Sequence, residues 1–173
     1  MSKKTYVTGL FRDRDSAERA YQSITERGYK SDEVDLVMSN ATRDLHFTKT
    51  GHLTTELGNK AAEGAGMGGA IGGALGAIAA AVAAIGTTLA IPGLGLLIAG
   101  PLAAAVAGAG AGAAGGGLLG ALIGWGLPEE RVKSYEAGIR EGGILIGVTP
   151  RSDEDATYFA QTWQGQNGEQ IYR

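Results

Sequence analysis

The chain contains no cysteine. Disulfides, thiol nucleophiles and cysteine-ligated zinc are therefore excluded. Histidine is almost as scarce: the two present, His46 and His52, stand six apart near Asp44 and Glu56. That spacing reads as solvated loop histidines rather than a metal site, and no metal or other cofactor is expected. Neither a phosphate-binding loop nor a nucleophile elbow is present. Glycine spacings such as Gly64, Gly66 and Gly69 lack the preceding strand and the following acidic residue of a dinucleotide fingerprint. No enzymatic activity is expected. The net charge of −3 gives no reason to expect a nucleic-acid partner. The opening Met1-Ser2-Lys3-Lys4-Thr5 leads into Tyr6-Val7-Thr8-Gly9 without the apolar core of a signal peptide, so the polar parts are expected in the cytoplasm.

The most informative absence is internal. Between Glu63 and Glu129 lie 65 residues without a single Asp, Glu, Lys, Arg or His, and they hold 20 of the 30 glycines. A mean hydropathy of zero conceals this division into two polar arms around one apolar block. Three parts follow: residues 1–63, 64–127 and 128–173.

The arms read as halves of one domain. Residues 5–11 and 34–39 are strand-like, and between them Ala17, Ala20, Tyr21 and Ile24 recur at helical spacing up to Gly28. Asp15 and Glu18 have the spacing of a capping box at the start of that helix. In the C-terminal arm, residues 144–149 read as a strand, Ser152 as a cap, Ala156, Phe159, Ala160 and Trp163 as a buried stripe, and 169–172 as a last strand. A further helix is expected over Pro128–Gly142. The fold class is thus α+β: a ferredoxin-like split β-α-β domain, interrupted by an apolar glycine-zipper helical hairpin.

Within the block, Pro92 and Pro101 suggest two helices, roughly 64–90 and 102–126, joined by an uncharged turn. Each is long enough for a bilayer core of about 30 Å. Gly64, Gly68, Gly72 and Gly76 fall four apart, as do Gly108, Gly112, Gly116, Gly120 and Gly124. Such a step lines one side of a helix and leaves a groove for a second backbone. Ile71, Leu75, Ile78, Val82, Ile85 and Leu89 form an apolar stripe on the first helix. A helix apolar all round must be buried all round. The expected partners are further copies of the chain, in a homo-oligomer, and a lipid bilayer. On this view the hairpin lies in the cytoplasmic membrane; the alternative is a cytoplasmic soluble assembly with the hairpins as its dry core. A third reading is a ligand-sensing ferredoxin-like module.

Several stretches carry a family resemblance: Ile91-Pro92-Gly93-Leu94-Gly95, Ala99-Gly100-Pro101-Leu102-Ala103-Ala104-Ala105, Pro128-Glu129-Glu130, Tyr135-Glu136, Gly138-Ile139 and Glu141-Gly142-Gly143-Ile144-Leu145. Together with the helix start Asp15-Ser16-Ala17-Glu18, they resemble the YflT-like general stress proteins. The resemblance implies a bacterial, stress-induced protein without catalytic residues to carry over.

Overall fold

The computed structural model describes residues 6–48, 78, 81, 88–91, 95–108, 120, 122, 123 and 126–173. The N-terminal arm forms β1 (Val7–Phe11), α1 (Arg14–Glu26), β2 (Val34–Ser39) and a short α2 (Asn40–Arg43), continued by a π turn over Asp44–Thr48. The central block contributes β3 (Thr88–Ile91), β4 (Leu96–Ala99) and α3 (Pro101–Gly108). The C-terminal arm adds α4 (Glu129–Arg140), β5 (Ile144–Val148), α5 (Asp153–Gly165) and β6 (Glu169–Tyr172). The strands make one antiparallel sheet in the order β3-β4-β2-β5-β1-β6. The class is α+β, as the sequence leads one to expect.

Alternation along the strands divides the core into two. Val7, Phe11, Val34, Leu36, Met38, Ile144, Ile146 and Val148 face one side, where they meet α1 and α5 through Ala17, Tyr21, Ile24, Phe159 and Trp163. A chain of rings fills this layer: Trp163 lies edge-on to Phe11 and stacked with Phe159, both at 5.9 Å between centroids. Such pairs add to the area that these large side chains bury. The residues between them, Tyr6, Leu10, Val37 and Leu145, face the opposite side with Val132, Tyr135 and Ile139 of α4 and Leu102, Ala103 and Val106 of α3. The two arms are also tied at the rim. The Tyr29 hydroxyl donates to Asp155 Oδ2 at 2.7 Å and accepts the Arg151 N–H at 2.7 Å.

Most arm elements form where their sequence signals lie. Ser152 caps α5 by accepting the Asp155 N–H, and Gly28 follows α1 with φ +80°. The start of α1 is corrected. Asp13, not Asp15, is its N-cap and accepts the Ser16 N–H at 2.8 Å. Glu18 is not part of a capping box, because its carboxylate turns outward to the central block.

The block departs further from expectation. Residues 88–90, expected at the end of a long helix, and residues 91 and 96–99, expected in an inter-helix turn, are paired strands. Thr88 pairs with Ala99 and Ile91 with Leu96, while β4 pairs with β2 from Leu36–Ala99 to Ser39–Leu96. Leu89 of the predicted helical stripe therefore sits in β3. The cause is the edge of β2, whose backbone groups need partners; an uncharged, Leu/Ile-rich segment satisfies them and buries Leu96, Leu97 and Ile98. The arms thus cover part of the block themselves, and its apolarity is not all turned toward other molecules.

Gly100 makes the connection from β4 to α3. Its φ of +98° lies in the left-handed region, and an added Cβ would run into the Val34 carbonyl oxygen. Gly100→Ala is expected to destabilise the fold by roughly 3 kcal/mol, combining backbone strain with a clash that no side chain can relieve. A urea midpoint unchanged from wild type would contradict this placement.

Candidate functional site

The sequence Val34-Asp35-Leu36-Val37-Met38 puts one acid in an otherwise apolar strand. Alternation turns Val34, Leu36 and Met38 toward α1 and α5 and leaves Asp35 on the α3 and α4 side, only 2% exposed. Its Oδ1 accepts the backbone N–H of Leu102 at 2.6 Å and its Oδ2 accepts the Tyr6 hydroxyl at 2.9 Å. Leu102 stands in the first turn of α3, where amide hydrogens have no partner within the helix. Asp35 thus caps α3 from a neighbouring strand, its carboxyl oxygen accepting an amide hydrogen that the helix leaves unpaired. Tyr6 reaches it because Gly147, opposite Asp35 on β5, has no side chain; a Cβ there would collide with the Tyr6 hydroxyl.

Burial dominates the electrostatics. It pushes the Asp35 carboxyl up to about 7, although the Leu102 N–H and the Tyr6 hydroxyl both pull the other way. Tyr6 is itself raised well above its ordinary value, by burial first and then by the carboxylate beside it.

A second carboxylate grips the block on the opposite face. Glu18, in the middle of α1, accepts the Ile78 N–H through Oε2 at 3.0 Å and lies 3.8 Å from the Arg14 guanidinium. Ile78 is fully buried in the cluster under α1 and α5. On the α4 side, the Tyr135 hydroxyl donates to the Gln170 carbonyl at 2.6 Å and stands 2.8 Å from Thr8 Oγ1, joining α4 to β1 and β6. An uncharged segment is therefore held on both faces of the sheet by acids from the N-terminal arm. With so little of it exposed, Asp35 is out of reach of a substrate in this conformation, and its chemistry is to hold a backbone.

Of the residues the sequence singles out, Gly64, Gly68, Gly72, Gly76, Gly112, Gly116 and Gly124 lie outside the described residues, as do Ile71, Leu75, Val82 and Ile85. Gly108 ends α3. Gly120 is helical and exposed, and a Cβ on it would meet nothing within 4 Å. Among the described residues no second backbone approaches Gly120. Ile78 is helical and buried in the cluster under α1 and α5. His46 lies in the π turn and His52 outside the described residues. Among the described residues there is no group of three acids, histidines or cysteines able to hold a metal.

Asp35 is the residue that sequence reasoning passed over, and its signal was there: a lone acid in an apolar strand is either at a solvated edge or bonded inside. Comparison with known proteins adds no relative: no family model, no curated protein and no solved structure matches the chain.

Proposed function

We propose that this is a non-catalytic structural protein that self-associates through the outward face of its charge-free block. The observation that carries this reading is α3. Its sequence, Pro-Leu-Ala-Ala-Ala-Val-Ala-Gly, has no polar side chain, yet only Leu102, Ala103 and Val106 turn to the sheet. Ala104, Ala105 and Ala107 are exposed, and so are Gly120 and Ile123. A helix apolar all round calls for cover on both sides, and the domain covers one. Between a second copy and a bilayer, α3 favours the copy. Eight residues rise about 12 Å, against roughly 30 Å for a bilayer core. Among the described residues no helix is long and apolar enough to cross a membrane.

Two further parts of the proposal rest on other support. The strand order β2-β5-β1-β6, with α1 and α5 on one face, supports a ferredoxin-like split β-α-β unit extended at its β2 edge by the β3–β4 hairpin. The resemblance to YflT-like general stress proteins supports a role in the bacterial stress response.

Sizing by light scattering tests self-association. The wild-type chain is expected to run as a multiple of its 17.6 kDa. Ala104→Glu combined with Ala105→Glu, which places charge on the outer face of α3 only, is expected to shift it to the monomer. A wild-type monomer at micromolar concentration without detergent overturns the proposal. Material recovered only in detergent would favour the bilayer instead.

A further inference from the structure

We propose that Asp35 is a proton-operated latch: its carboxyl, buried between β2 and the first turn of α3, holds the charge-free block on the sheet when protonated and weakens that hold when ionised. The proposal does not depend on self-association, since every contact it uses lies within one chain.

The geometry sets Asp35 at the joint between polar arm and apolar block. On one side is its own strand, the N-terminal arm's contribution to the centre of the sheet. On the other is the Gly100 turn, where a Cβ would come within 2.9 Å of Asp35 Oδ1, followed at once by the Leu102 N–H that Oδ1 accepts. If β4 and α3 lift from the sheet, Asp35 loses this backbone partner and gains water.

The surroundings leave an ionised Asp35 poorly compensated. From the residue before β1 it faces Tyr6, a hydroxyl donor raised by burial first, then by Asp35 itself and last by Tyr135 on α4. From β5 it faces Gly147, which has no side chain, and from α3 and the turn before it only backbone. Among the described residues no Lys, Arg or His contributes to its titration. Two hydrogen bonds stabilise the anion, but burial outweighs them, which is why the docked carboxyl titrates at about 7 against an ordinary 3.8.

The sign follows from linkage. The docked state holds its proton more tightly than the undocked state, in which Asp35 is in water. Docking is therefore tightest below pH 4 and weakens as pH rises, the loss being complete once pH has passed through about 7. A mild rise from acid to neutral pH thus loosens β4 and α3; the layer under α1 and α5 gives up Leu97 and Ala99 of β4 but keeps Ile78, Ala81 and its residues from both arms. Release exposes Leu96, Ile98, Leu102 and Val106, all now buried.

Hydrogen–deuterium exchange on the full chain at pH 5 and pH 8, corrected for the intrinsic dependence of exchange on pH, tests the latch. Protection of peptides covering 96–108 is expected to fall at least tenfold between the two, on the order of 100-fold if the full shift is expressed, while α5 changes little. Asp35→Asn, which keeps an acceptor for Leu102 but carries no titrating proton, is expected to remove the difference. Equal protection of 96–108 at both pH values, equal loss in α5, or a pH difference that persists in Asp35→Asn overturns the proposal. Should that variant fail to fold, the carboxyl carbon of Asp35 in the wild-type chain is followed by NMR. A midpoint near neutrality supports the latch, and an ordinary acidic midpoint overturns it.

Discussion

Removing residues 64–127 and joining the arms through a short Gly/Ser linker is expected to abolish cooperative folding. Read from sequence, the arms look self-sufficient, since they carry their own caps, stripes and strands. The structure reverses that expectation, because the arms supply only half of one core layer. Of the fourteen described residues clustered on the α3 and α4 side, seven come from the block: Leu96, Ile98, Leu102, Ala103, Val106, Leu122 and Leu127. Six of these are large aliphatics no more than 8% exposed. At roughly 1.5–3 kcal/mol each, their burial amounts to about 9–18 kcal/mol, comparable with the whole stability of an ordinary domain. The loss is worse than the missing side chains alone, for Tyr6, Val37 and Leu145 would then face water and the β2 edge would be unpaired. A thermal scan without a cooperative transition is the expected outcome. A graded check uses single substitutions: Ile98→Ala and Leu102→Ala are each expected to cost roughly 2–5 kcal/mol in urea unfolding. A sharp transition in the deletion variant, together with near-wild-type stability in both single variants, would mean that the arms fold alone.

How much of this was legible follows from the physics of each signal. The strands at 34–39 and 169–172 fall where alternation and β-branched residues put them, because these segments have one dominant periodicity and flanking turn residues. The helix stripes of α1 and α5 are equally plain. The block was harder. A run such as Thr-Leu-Ala-Ile fits a helical stripe and a strand alike, and only the unpaired edge of β2, a tertiary fact, decides for the strand. Glu18 shows the same limit. Its spacing from Asp15 imitates a capping box, whereas its actual partner, the Ile78 N–H, is sixty residues away. The four-spaced glycines are plain in sequence, but only Gly108 and Gly120 fall among the described residues. What sequence could not convey was that the acids of the N-terminal arm bind the uncharged segment. Long-range pairing of a carboxylate with a backbone amide leaves no local pattern beyond a lone acid among apolar residues.

Asp35→Asn is expected to make the protein more stable at pH 8 and to leave it nearly unchanged at pH 4. In the wild type the carboxyl is raised to about 7 in the folded state, from an ordinary 3.8 when the chain is unfolded. Below the lower value both states carry the proton, and the acid form contributes its full stability. As pH rises, the unfolded chain ionises first, so stability falls through the window between the two values and levels off once the folded state has ionised as well. The gap is worth roughly 4 kcal/mol at about 1.4 kcal/mol per tenfold change in proton affinity, an upper figure because water reaching a loosened α3 would relieve part of it. Asparagine avoids this penalty. Its carbonyl can accept the Leu102 N–H in place of Oδ1, and its amide can donate to the Tyr6 oxygen, so both partners of Asp35 remain bonded. Equilibrium urea unfolding from pH 4 to pH 8 measures the difference. The wild-type curve should decline across this window while that of the variant stays flat, with a gain of about 2–4 kcal/mol at pH 8. Asp35→Ala is expected to behave differently, since it removes the acceptor and leaves the Leu102 amide buried without a partner, a cost of roughly 1–3 kcal/mol at every pH. A variant Asn chain that is less stable than wild type at pH 8 would mean that the anionic cap on α3 outweighs the burial of its charge.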